Sequence, residues 1–458
     1  MQYRELRNTY PVFYYHYFTL AESDTEFSVY FDFEIEGLSH FNPHMTIPKP
    51  KGKETYSNLH AVREAAFSLG MIELISYWKL TCAPKVIVEC GMLEEEQIRW
   101  WKKLYFNGLG EFFYKNGIDA DEADFMEILS RGEKITGRSI ERRFHGNLIP
   151  CGGGKDSFVS MDILKDMQED NYAFVINHVM SAVHSAMAAG YTGEKLIIVE
   201  RTLDPRMLEF NKLGYLNGHT PFSALCAFAS VLTALIYGRQ NITLSNEASA
   251  NEPTIHNTKI NHQYSKTFEF ERDFKYYMDR WITPEVHYFS LLRGLSELQI
   301  AGIFSTLKPY LPIFRSCNVG SKEERWCGHC AKCLFVCVML SAFLEDETLV
   351  SIFGADMLND ETLIPLFEQL TGILDDKPFE CVGTREEVNT AAAMSILAHR
   401  RNSRPLPLLY ERYVKSNYYP FYEGKEVDWD QYNTENLVPA EYEALIKARM
   451  KGMKDAER

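Results

Sequence analysis

Residues 147–245 alternate between short apolar strands and helices, and this alternation constrains the fold more than any other feature of the chain. The predicted strands are 147–150, 172–176, 195–200 and 241–245, with helical patterns between them. Strands that alternate with helices build a parallel sheet with helices on both faces. Ligands of such sheets bind beyond the carboxyl ends of the strands. The sequence therefore predicts an α/β domain with a ligand site at that edge.

The first predicted strand runs into a loop of three glycines and then into a helix. Glycines let backbone N–H groups approach an anion, and the partly positive N-terminus of the helix faces the same point. A Walker A loop is excluded because Ile149 and Asp156 occupy its glycine and hydroxyl positions. A dinucleotide fingerprint is disfavoured because its third glycine falls on Ser157. The predicted nucleotide-binding residues are Gly152, Gly153, Gly154, Lys155, Asp156 and Ser157.

This string resembles the PP-loop of the ATP-pyrophosphatase superfamily, usually Ser-Gly-Gly-x-Asp-Ser, with Gly152 in place of the first serine. The resemblance implies an adenine nucleotide alpha-hydrolase-like fold that binds ATP with Mg²⁺ and transfers AMP to a substrate oxygen. Lys155 would supply charge, the Ser157 hydroxyl would contact a phosphate, and Asp156 would cap backbone donors or help hold Mg²⁺. A glycine-rich turn without a ligand is the alternative.

At 458 residues, the chain is expected to form two or three domains. Residues 1–140 carry alternating strand patterns and two helical patterns, which predict an N-terminal α+β domain. Residues 141–345 are interpreted as the PP-loop ATP-binding domain, and residues 346–458 as a mainly helical region. The predicted fold class is therefore α/β with additions at both ends.

The formal net charge of −15 argues against a general nucleic-acid surface. No apolar stretch follows the charged N-terminal residues, so no signal peptide is expected. The most apolar run, 222–237, is shorter than the roughly 18 residues that a membrane helix needs, which predicts a buried helix and no membrane insertion. A cytoplasmic location follows as an expectation, and no feature of the sequence predicts the oligomeric state.

Four cysteines, Cys317, Cys327, Cys330 and Cys333, have the spacing C-x9-C-x2-C-x2-C. Four thiolates can close a tetrahedral Zn²⁺ site that leaves no position for water, so the predicted role is structural. An iron–sulfur centre, a ligand exchange with His329, and free core cysteines are the alternatives.

The glycine loop followed by this cysteine spacing resembles 7-cyano-7-deazaguanine synthase over residues 145–340. A resemblance over the whole length is to the bacterial UDP-N-acetylmuramoyl-L-alanyl-L-glutamate epimerase family. It is carried by the loop and the cysteine cluster, and by the strings at 41–43, 245–247, 261–266 and 377–384. That resemblance implies ATP- and Mg²⁺-dependent inversion of the terminal L-Glu of UDP-MurNAc-L-Ala-L-Glu, with release of AMP and pyrophosphate, in peptidoglycan precursor synthesis.

Inversion needs groups that remove and return the α-proton. The predicted catalytic residues are Cys151, Glu247, Tyr264 and Lys266, and His219 and Cys381 are further candidates. Cys151 precedes a helix N-terminus, which is expected to lower its pKa.

Three other functions compete with the epimerase. One is a PP-loop ligase or amidotransferase that passes its adenylate to an amine, as the deazaguanine synthase does. Another is a tRNA-thiolating enzyme, against which the negative charge speaks. The last is a nucleotide-binding regulatory protein that cleaves nothing.

Overall fold

The chain divides into two compact units, each assembled from three separate segments. The computed structural model describes residues 3–52, 54–251, 261, 263–320, 323–375, 377–378, 380 and 382–456. Unit 1 comprises Met1–Leu148, Ile197–Ile242 and Gln263–Tyr288. Unit 2 comprises Ile149–Leu196, Thr243–His262 and Phe289–Arg458. The predicted domain boundaries near residues 140 and 345 stay predictions.

Strands and helices alternate along much of the described chain. The strands are β1 (Val12–Glu22), β2 (Glu26–Ile35), β3 (Ser39–Phe41), β4 (His44–Pro48), β5 (Lys85–Val88), β6 (Glu127–Ser130), β7 (Asn147–Pro150), β8 (Asn171–Ile176), β9 (Leu196–Thr202), β10 (Asn241–Leu244) and β11 (His287–Ser290). The helices are α1 (Tyr3–Thr9), α2 (His60–Trp78), α3 (Glu95–Gly108), α4 (Gly110–Lys115), α5 (Lys155–Ile163), α6 (Met180–Ala188), α7 (Pro205–Lys212), α8 (Phe222–Tyr237), α9 (Phe268–Tyr277), α10 (Glu297–Thr306), α11 (Ala331–Ser341), α12 (Asp346–Phe353), α13 (Ile364–Thr371), α14 (Arg385–Arg401), α15 (Leu408–Val414), α16 (Tyr419–Tyr422) and α17 (Ala440–Ala456).

Unit 1 contains a mixed sheet in the order β9-β4-β2-β1-β5-β6, with β3 paired to β2. The strands β9, β4, β2 and β1 pair antiparallel, whereas β1, β5 and β6 pair parallel. On β2, Phe27, Val29, Phe31, Phe33 and Ile35 are all buried. This alternation places one face of the strand on the apolar core.

Two buried helices cover this core. Nearly every residue of α2 is buried, and α2 packs against α8 and against β1 and β2. A helix that is apolar on all sides is stable only in the interior of a protein. α8 confirms the prediction of a buried helix at 222–237. Among the described helices, none is both long and apolar enough to cross a membrane.

Unit 2 combines strand segments with helices that follow them. The four strands β11-β10-β7-β8 are neighbours in that order, and β7, β10 and β11 each run from unit 1 residues into unit 2 residues. α10 packs against α5 and α11, and α11 packs against α14. In the described part of 346–458, the regular elements are all helices. The predicted mixed α/β class is confirmed, whereas the PP-loop fold within that class stays a prediction.

Candidate functional site

Three acidic loops leave the same edge of neighbouring parallel strands. β7 pairs parallel with β10 through Asn147–Asn241 and Leu148–Ile242. The His287 N–H donates to the Gln240 backbone oxygen, and the Leu291 N–H donates to the Leu244 backbone oxygen. Both residue numbers increase together, so β11 runs in the same direction as β10. The carboxyl ends of parallel strands meet at one edge of a sheet. The segments that follow β7, β10 and β11 carry Asp156 in the first turn of α5, Glu247 in a loop, and Glu297 at the start of α10, respectively.

The glycine loop after β7 contains one position, Gly153, that only glycine fits well. Gly153 has φ +81°, and a Cβ there would lie 2.8 Å from the backbone of Ser181. Gly154 is the N-cap of α5 and supplies no side-chain cap. The Gly152 N–H donates to the Ser157 hydroxyl at 3.1 Å, which fixes the turn. A helix N-terminus without a side-chain cap keeps backbone N–H groups for an anion.

Lys155 is buried in this loop and is paired with carboxylates. Its Nζ donates to Asp156 Oδ1 and Glu297 Oε2, and its side chain is 1% exposed. Burial alone would lower the pKa of Lys155, but the two carboxylates outweigh it and raise the pKa above its usual range. The ammonium group is therefore charged. The predicted phosphate contact of Lys155 stays a prediction.

The carboxyl groups of Asp156, Glu247 and Glu297 form a cluster, with oxygen atoms within 4.8 Å of one another. Glu247 and Glu297 are buried. Burial, together with the neighbouring Asp156 and Glu247, raises the pKa of Glu297 to about 7 against the effect of Lys155. Three carboxyl groups thus share one buried ammonium group, that of Lys155. Carboxylate oxygens are the ligands that Mg²⁺ prefers, so the donor set fits this ion.

Buried side chains hold the second and third loops in place. Arg293 Nη1 donates to the Glu247 backbone oxygen at 2.6 Å, and the Ser249 hydroxyl donates to the Glu247 carboxylate at 3.2 Å. The Glu297 N–H donates to Glu387 Oε1 at 2.7 Å. Glu387 Oε2 accepts from the backbone and hydroxyl of Thr384, both at 2.8 Å. Glu297 and Glu387 were not among the residues predicted from the sequence.

Cys151 lies at the start of the loop but is not an activated thiol. It is buried, and its Sγ–H donates to the Ala182 oxygen at 3.5 Å. Burial raises the pKa of Cys151 to about 11, although Gly153 and Ser157 oppose the shift. The expectation of a lowered pKa is wrong because desolvation outweighs the hydrogen bonds with the Gly153 backbone and the Ser157 side chain. A catalytic role for Cys151 stays a prediction.

The remaining predicted proton-transfer residues lie in unit 1 or outside the described residues. Tyr264 is buried against Phe270, and burial raises its pKa above the usual range. Lys266 ends the same short helical turn and is half-buried. His219 Nδ1 lies 3.5 Å from a carboxylate oxygen of Glu111. Cys381 lies outside the described residues. The positions of Tyr264, Lys266 and His219 do not test their predicted roles in proton transfer.

The four predicted metal-binding cysteines converge, with their Sγ atoms within 4.8 Å of one another. The Sγ of Cys333 lies 3.7 Å from that of Cys327 and 3.5 Å from that of Cys330. Four sulfur ligands at about 2.3 Å from a tetrahedral Zn²⁺ lie about 3.8 Å apart, so the spacing fits this ion. Backbone N–H groups donate to two of the sulfurs: Gly320 to Cys317 at 3.0 Å, and Cys330 to Cys327 at 3.3 Å.

The cysteine cluster is connected to the glycine loop by the residues just before it. The Arg315 N–H donates to the Gly153 oxygen at 2.9 Å, and the Arg315 side chain donates to the Glu324 backbone oxygen at 2.9 Å. The Ser316 hydroxyl oxygen would lie 2.7 Å from a Cβ added at Gly154. The segment that ends in Cys317 therefore packs directly against the loop.

Two family models match the chain. Residues 4–291 match the MurL N-terminal domain, and residues 313–418 match the MurL C-terminal domain. No solved structure matches the chain closely enough for comparison.

Three curated relatives carry the name UDP-N-acetyl-alpha-D-muramoyl-L-alanyl-L-glutamate epimerase. The relative from Xanthomonas oryzae pv. oryzae is 34% identical over 352 residues, which cover 75% of this chain and 76% of the relative. The relative from Micromonospora is 33% identical over 390 residues, covering 83% and 85%. The relative from Salinispora tropica is 32% identical over 390 residues, covering 83% of both chains.

Proposed function

Because the chain belongs to the MurL family, we propose that it is an epimerase that inverts the terminal L-Glu of UDP-MurNAc-L-Ala-L-Glu to D-Glu. The observation that carries this proposal is the 32–34% identity to three epimerases over at least three quarters of the chain. The substrate is a small UDP-sugar peptide of peptidoglycan precursor synthesis, as the relatives' names indicate.

ATP consumption gives this inversion a chemical rationale. The α-proton of a residue with a free carboxylate is hard to remove, because its loss would place a second negative charge beside the first. We propose that the carboxylate is joined to AMP, with release of pyrophosphate. The resulting mixed anhydride carries no charge on the carboxyl group and withdraws electrons from the α-carbon, so the α-proton becomes more acidic. A base removes this proton, a proton returns to the opposite face of the α-carbon, and water cleaves the mixed anhydride to give the free carboxylate and AMP.

The site around the glycine loop supports the activation step. The uncapped N-terminus of α5 and the charge of Lys155 would bind the phosphates of ATP. Asp156 and Glu297, which both contact the Lys155 ammonium, would hold Mg²⁺. Magnesium is bound by one or two carboxylates together with substrate phosphates, and it neutralises their charge.

Glu247 is the predicted proton-transfer residue that lies in this cluster. Its carboxylate is buried, bonds to Ser249, and lies within 4.8 Å of the two proposed magnesium ligands. We propose that Glu247 exchanges the α-proton of the activated substrate. An inversion needs access to both faces, and Cys151, in the same unit, stays a candidate for exchange at the opposite face. The predicted roles of Tyr264 and Lys266 stay predictions.

The cysteine cluster would hold a structural Zn²⁺. All four donors are thiolates, and a closed tetrahedral set leaves no position for substrate or water. Its proposed role is to fix the segment from Arg315 to Cys317 against the glycine loop. We expect the partners to be ATP and the UDP-sugar peptide, without nucleic acid, and the compartment to be the cytoplasm.

The second candidate, a carboxylate-activating ligase like 7-cyano-7-deazaguanine synthase, is less favoured, because the curated relatives are named epimerases. Incubation with UDP-MurNAc-L-Ala-L-Glu, ATP and Mg²⁺ in D₂O separates the two functions. The epimerase should form D-Glu with deuterium at the α-carbon and release AMP without any amine present. AMP formation without deuterium would contradict the proposal. Deuterated D-Glu without ATP would retain the epimerase and reject the adenylate.

A further inference from the structure

We propose that His16, Glu34 and His40 form a second metal site, in unit 1, that binds a divalent transition-metal cation such as Zn²⁺. The two imidazoles and the carboxylate each present one ligand atom, and these atoms lie within 4.8 Å of one another. Two histidines and one carboxylate are a donor set that binds Zn²⁺ and leaves a fourth position for water. The proposal concerns the N-terminal sheet and is independent of the proposed epimerase site.

The backbone of the sheet brings the three side chains together. Glu34 on β2 is the direct register partner of His40 on β3. On β1, the register with β2 shifts between Tyr15 and Tyr17, so His16 is the extra residue of a β-bulge. A bulge turns a side chain away from the regular alternation, and bulges are common next to functional sites. Here the bulge directs His16 to Glu34, on the neighbouring strand.

Both imidazoles direct the same nitrogen at one carboxylate oxygen. His16 Nε2 lies 2.8 Å from Glu34 Oε2, and His40 Nε2 lies 3.4 Å from the same atom. Ligand atoms at about 2.0–2.2 Å from one tetrahedral Zn²⁺ lie about 3.3–3.6 Å apart, so the His40–Glu34 separation fits this ion and the His16–Glu34 separation is shorter. The two rings are also close to parallel, at 20° and 5.7 Å between centroids. The three side chains therefore converge on one point, and a shift of about half an ångström in His16 would complete the spacing for a shared cation.

The other nitrogen of each ring faces a different carboxylate. His16 Nδ1 lies 2.7 Å from Glu89 Oε2, and His40 Nδ1 lies 3.4 Å from Asp32 Oδ1. Asp32 is fixed in turn by the Asn42 side-chain amide, which donates to it at 3.2 Å. Histidines that bind a metal usually donate their second N–H to a carboxylate or carbonyl, which sets the tautomer. Glu89 and Asp32 occupy these supporting positions.

This arrangement needs a proton or a metal ion between the inner nitrogens and Glu34. If Nδ1–H of His16 donates to Glu89, the Nε2 lone pair faces a carboxylate oxygen, which is also an acceptor. Two acceptors at 2.8 Å repel each other unless a proton or a metal ion lies between them. Three carboxylates around two imidazoles favour a doubly charged ion. The side chain of His40 is 53% exposed, so an ion can enter from solvent.

Calorimetric titration of Zn²⁺ into the full chain tests the site, once the cysteine cluster has been saturated and excess metal removed. We expect one further equivalent of Zn²⁺ to bind. Glu34→Gln, which keeps the size of the side chain, should weaken that binding by at least tenfold. Glu89→Gln and Asp32→Asn should each weaken it about 10-fold through the supporting hydrogen bonds. His44→Ala, on the same sheet but outside the cluster, is the matched control and should bind normally.

Cobalt absorption separates the two classes of site. Co²⁺ at the proposed site should give visible bands without the near-ultraviolet charge-transfer band of thiolate ligands, and Glu34→Gln should remove those bands. The absence of a further zinc equivalent in the unaltered chain would show that only protons occupy the cluster and would overturn the proposal. Equal zinc affinity in Glu34→Gln would also overturn it. If Glu34→Gln does not fold, as judged by thermal unfolding, His40→Gln at the half-exposed ligand takes its place.

Discussion

At the scale of single residues, the position of Lys155 explains why a buried charge can persist in the candidate site. An unpaired buried ammonium would lose its proton, but Asp156 and Glu297 are both within hydrogen-bonding distance of it. The third carboxylate, Glu247, has no such partner in the cluster and bonds to the Ser249 hydroxyl. The three acids therefore differ in their surroundings, which is the basis for assigning them different roles.

We expect Glu247→Gln to lose α-proton exchange while it continues to release AMP. General acid–base groups contribute about 10²–10⁴-fold to rate, so deuterium incorporation should fall by about 100-fold or more. Glu297→Gln should lose both AMP release and deuterium incorporation, because it removes a proposed magnesium ligand of the proposed adenylation step. Parallel assays of AMP and of deuterium in glutamate make this comparison. Equal loss of both signals in Glu247→Gln would instead indicate a structural or metal-binding role for that residue.

The ionisation of Glu64, in unit 1, predicts how the free energy of unfolding depends on pH. Burial raises the pKa of Glu64 to about 7, although Lys134 and Arg63 oppose the shift. Because the pKa is higher in the folded chain, the protonated acid stabilises the folded chain fully below about pH 4.5. This contribution to the free energy of unfolding is lost as the pH rises to about 7. Glu64→Gln mimics the protonated acid, so it should remove up to about 3 kcal/mol of this pH dependence.

Urea unfolding at pH 5 and pH 8 measures the effect of Glu64. The free energy of unfolding of the unaltered chain should fall more between these pH values than that of Glu64→Gln. The exposed Glu95, changed to Gln, is the control and should follow the unaltered chain. An identical pH dependence in Glu64→Gln would show that the carboxyl group ionises normally in the folded chain.

At the scale of elements, the turn between β7 and α5 depends on one glycine more than on its neighbour. Gly153 combines a positive φ with a close approach to the backbone of Ser181 in α6. A Cβ at Gly152 would meet no atom within 4 Å. The two adjacent positions therefore offer the same chemical change in two different surroundings.

Gly153→Ala should lower the free energy of unfolding by about 1–3 kcal/mol, since it adds backbone strain and a clash that the turn cannot relieve. Gly152→Ala is the matched variant and should change it by less than about 1 kcal/mol. Chemical denaturation of both variants measures the difference. Equal effects at the two positions would mean that the turn has another conformation in solution.

At the scale of the whole molecule, local sequence patterns predicted individual elements well but did not predict which distant segments pair. The strand and glycine pattern placed Asp156 and Glu247 at strand ends, and the cysteine spacing named all four sulfurs that converge. Glu297 was missed because β11 has only four residues and no predicted strand preceded it. The one available signal was the capping box formed by Ser296 and Gln299, which marks the start of α10. The His16 bulge depends on strand register, which the alternation of residues does not specify.

The units also depend on segments far apart in the chain, and this predicts how a fragment behaves. Fragment 1–291 ends where the N-terminal family match ends, so it contains all of unit 1 but lacks most of unit 2. In the full chain, Phe158 of α5 stacks on Tyr310 at 4.5 Å and packs against Phe304 at 6.0 Å. The fragment lacks both partners, and exposing a buried phenylalanine costs about 1.5–3 kcal/mol.

Hydrogen exchange compares the fragment with the full chain. Peptides from α5 should exchange at least tenfold faster in the fragment, because their packing partners on α10 and after it are missing. Peptides from α2 should keep their protection, since the core that α2 forms with α8, β1 and β2 is complete in the fragment. This difference within one sample separates loss of unit 2 from general unfolding. Equal protection of α5 in both proteins would mean that β7, β8 and α5 fold without α10, and that unit 2 is not a single cooperative unit.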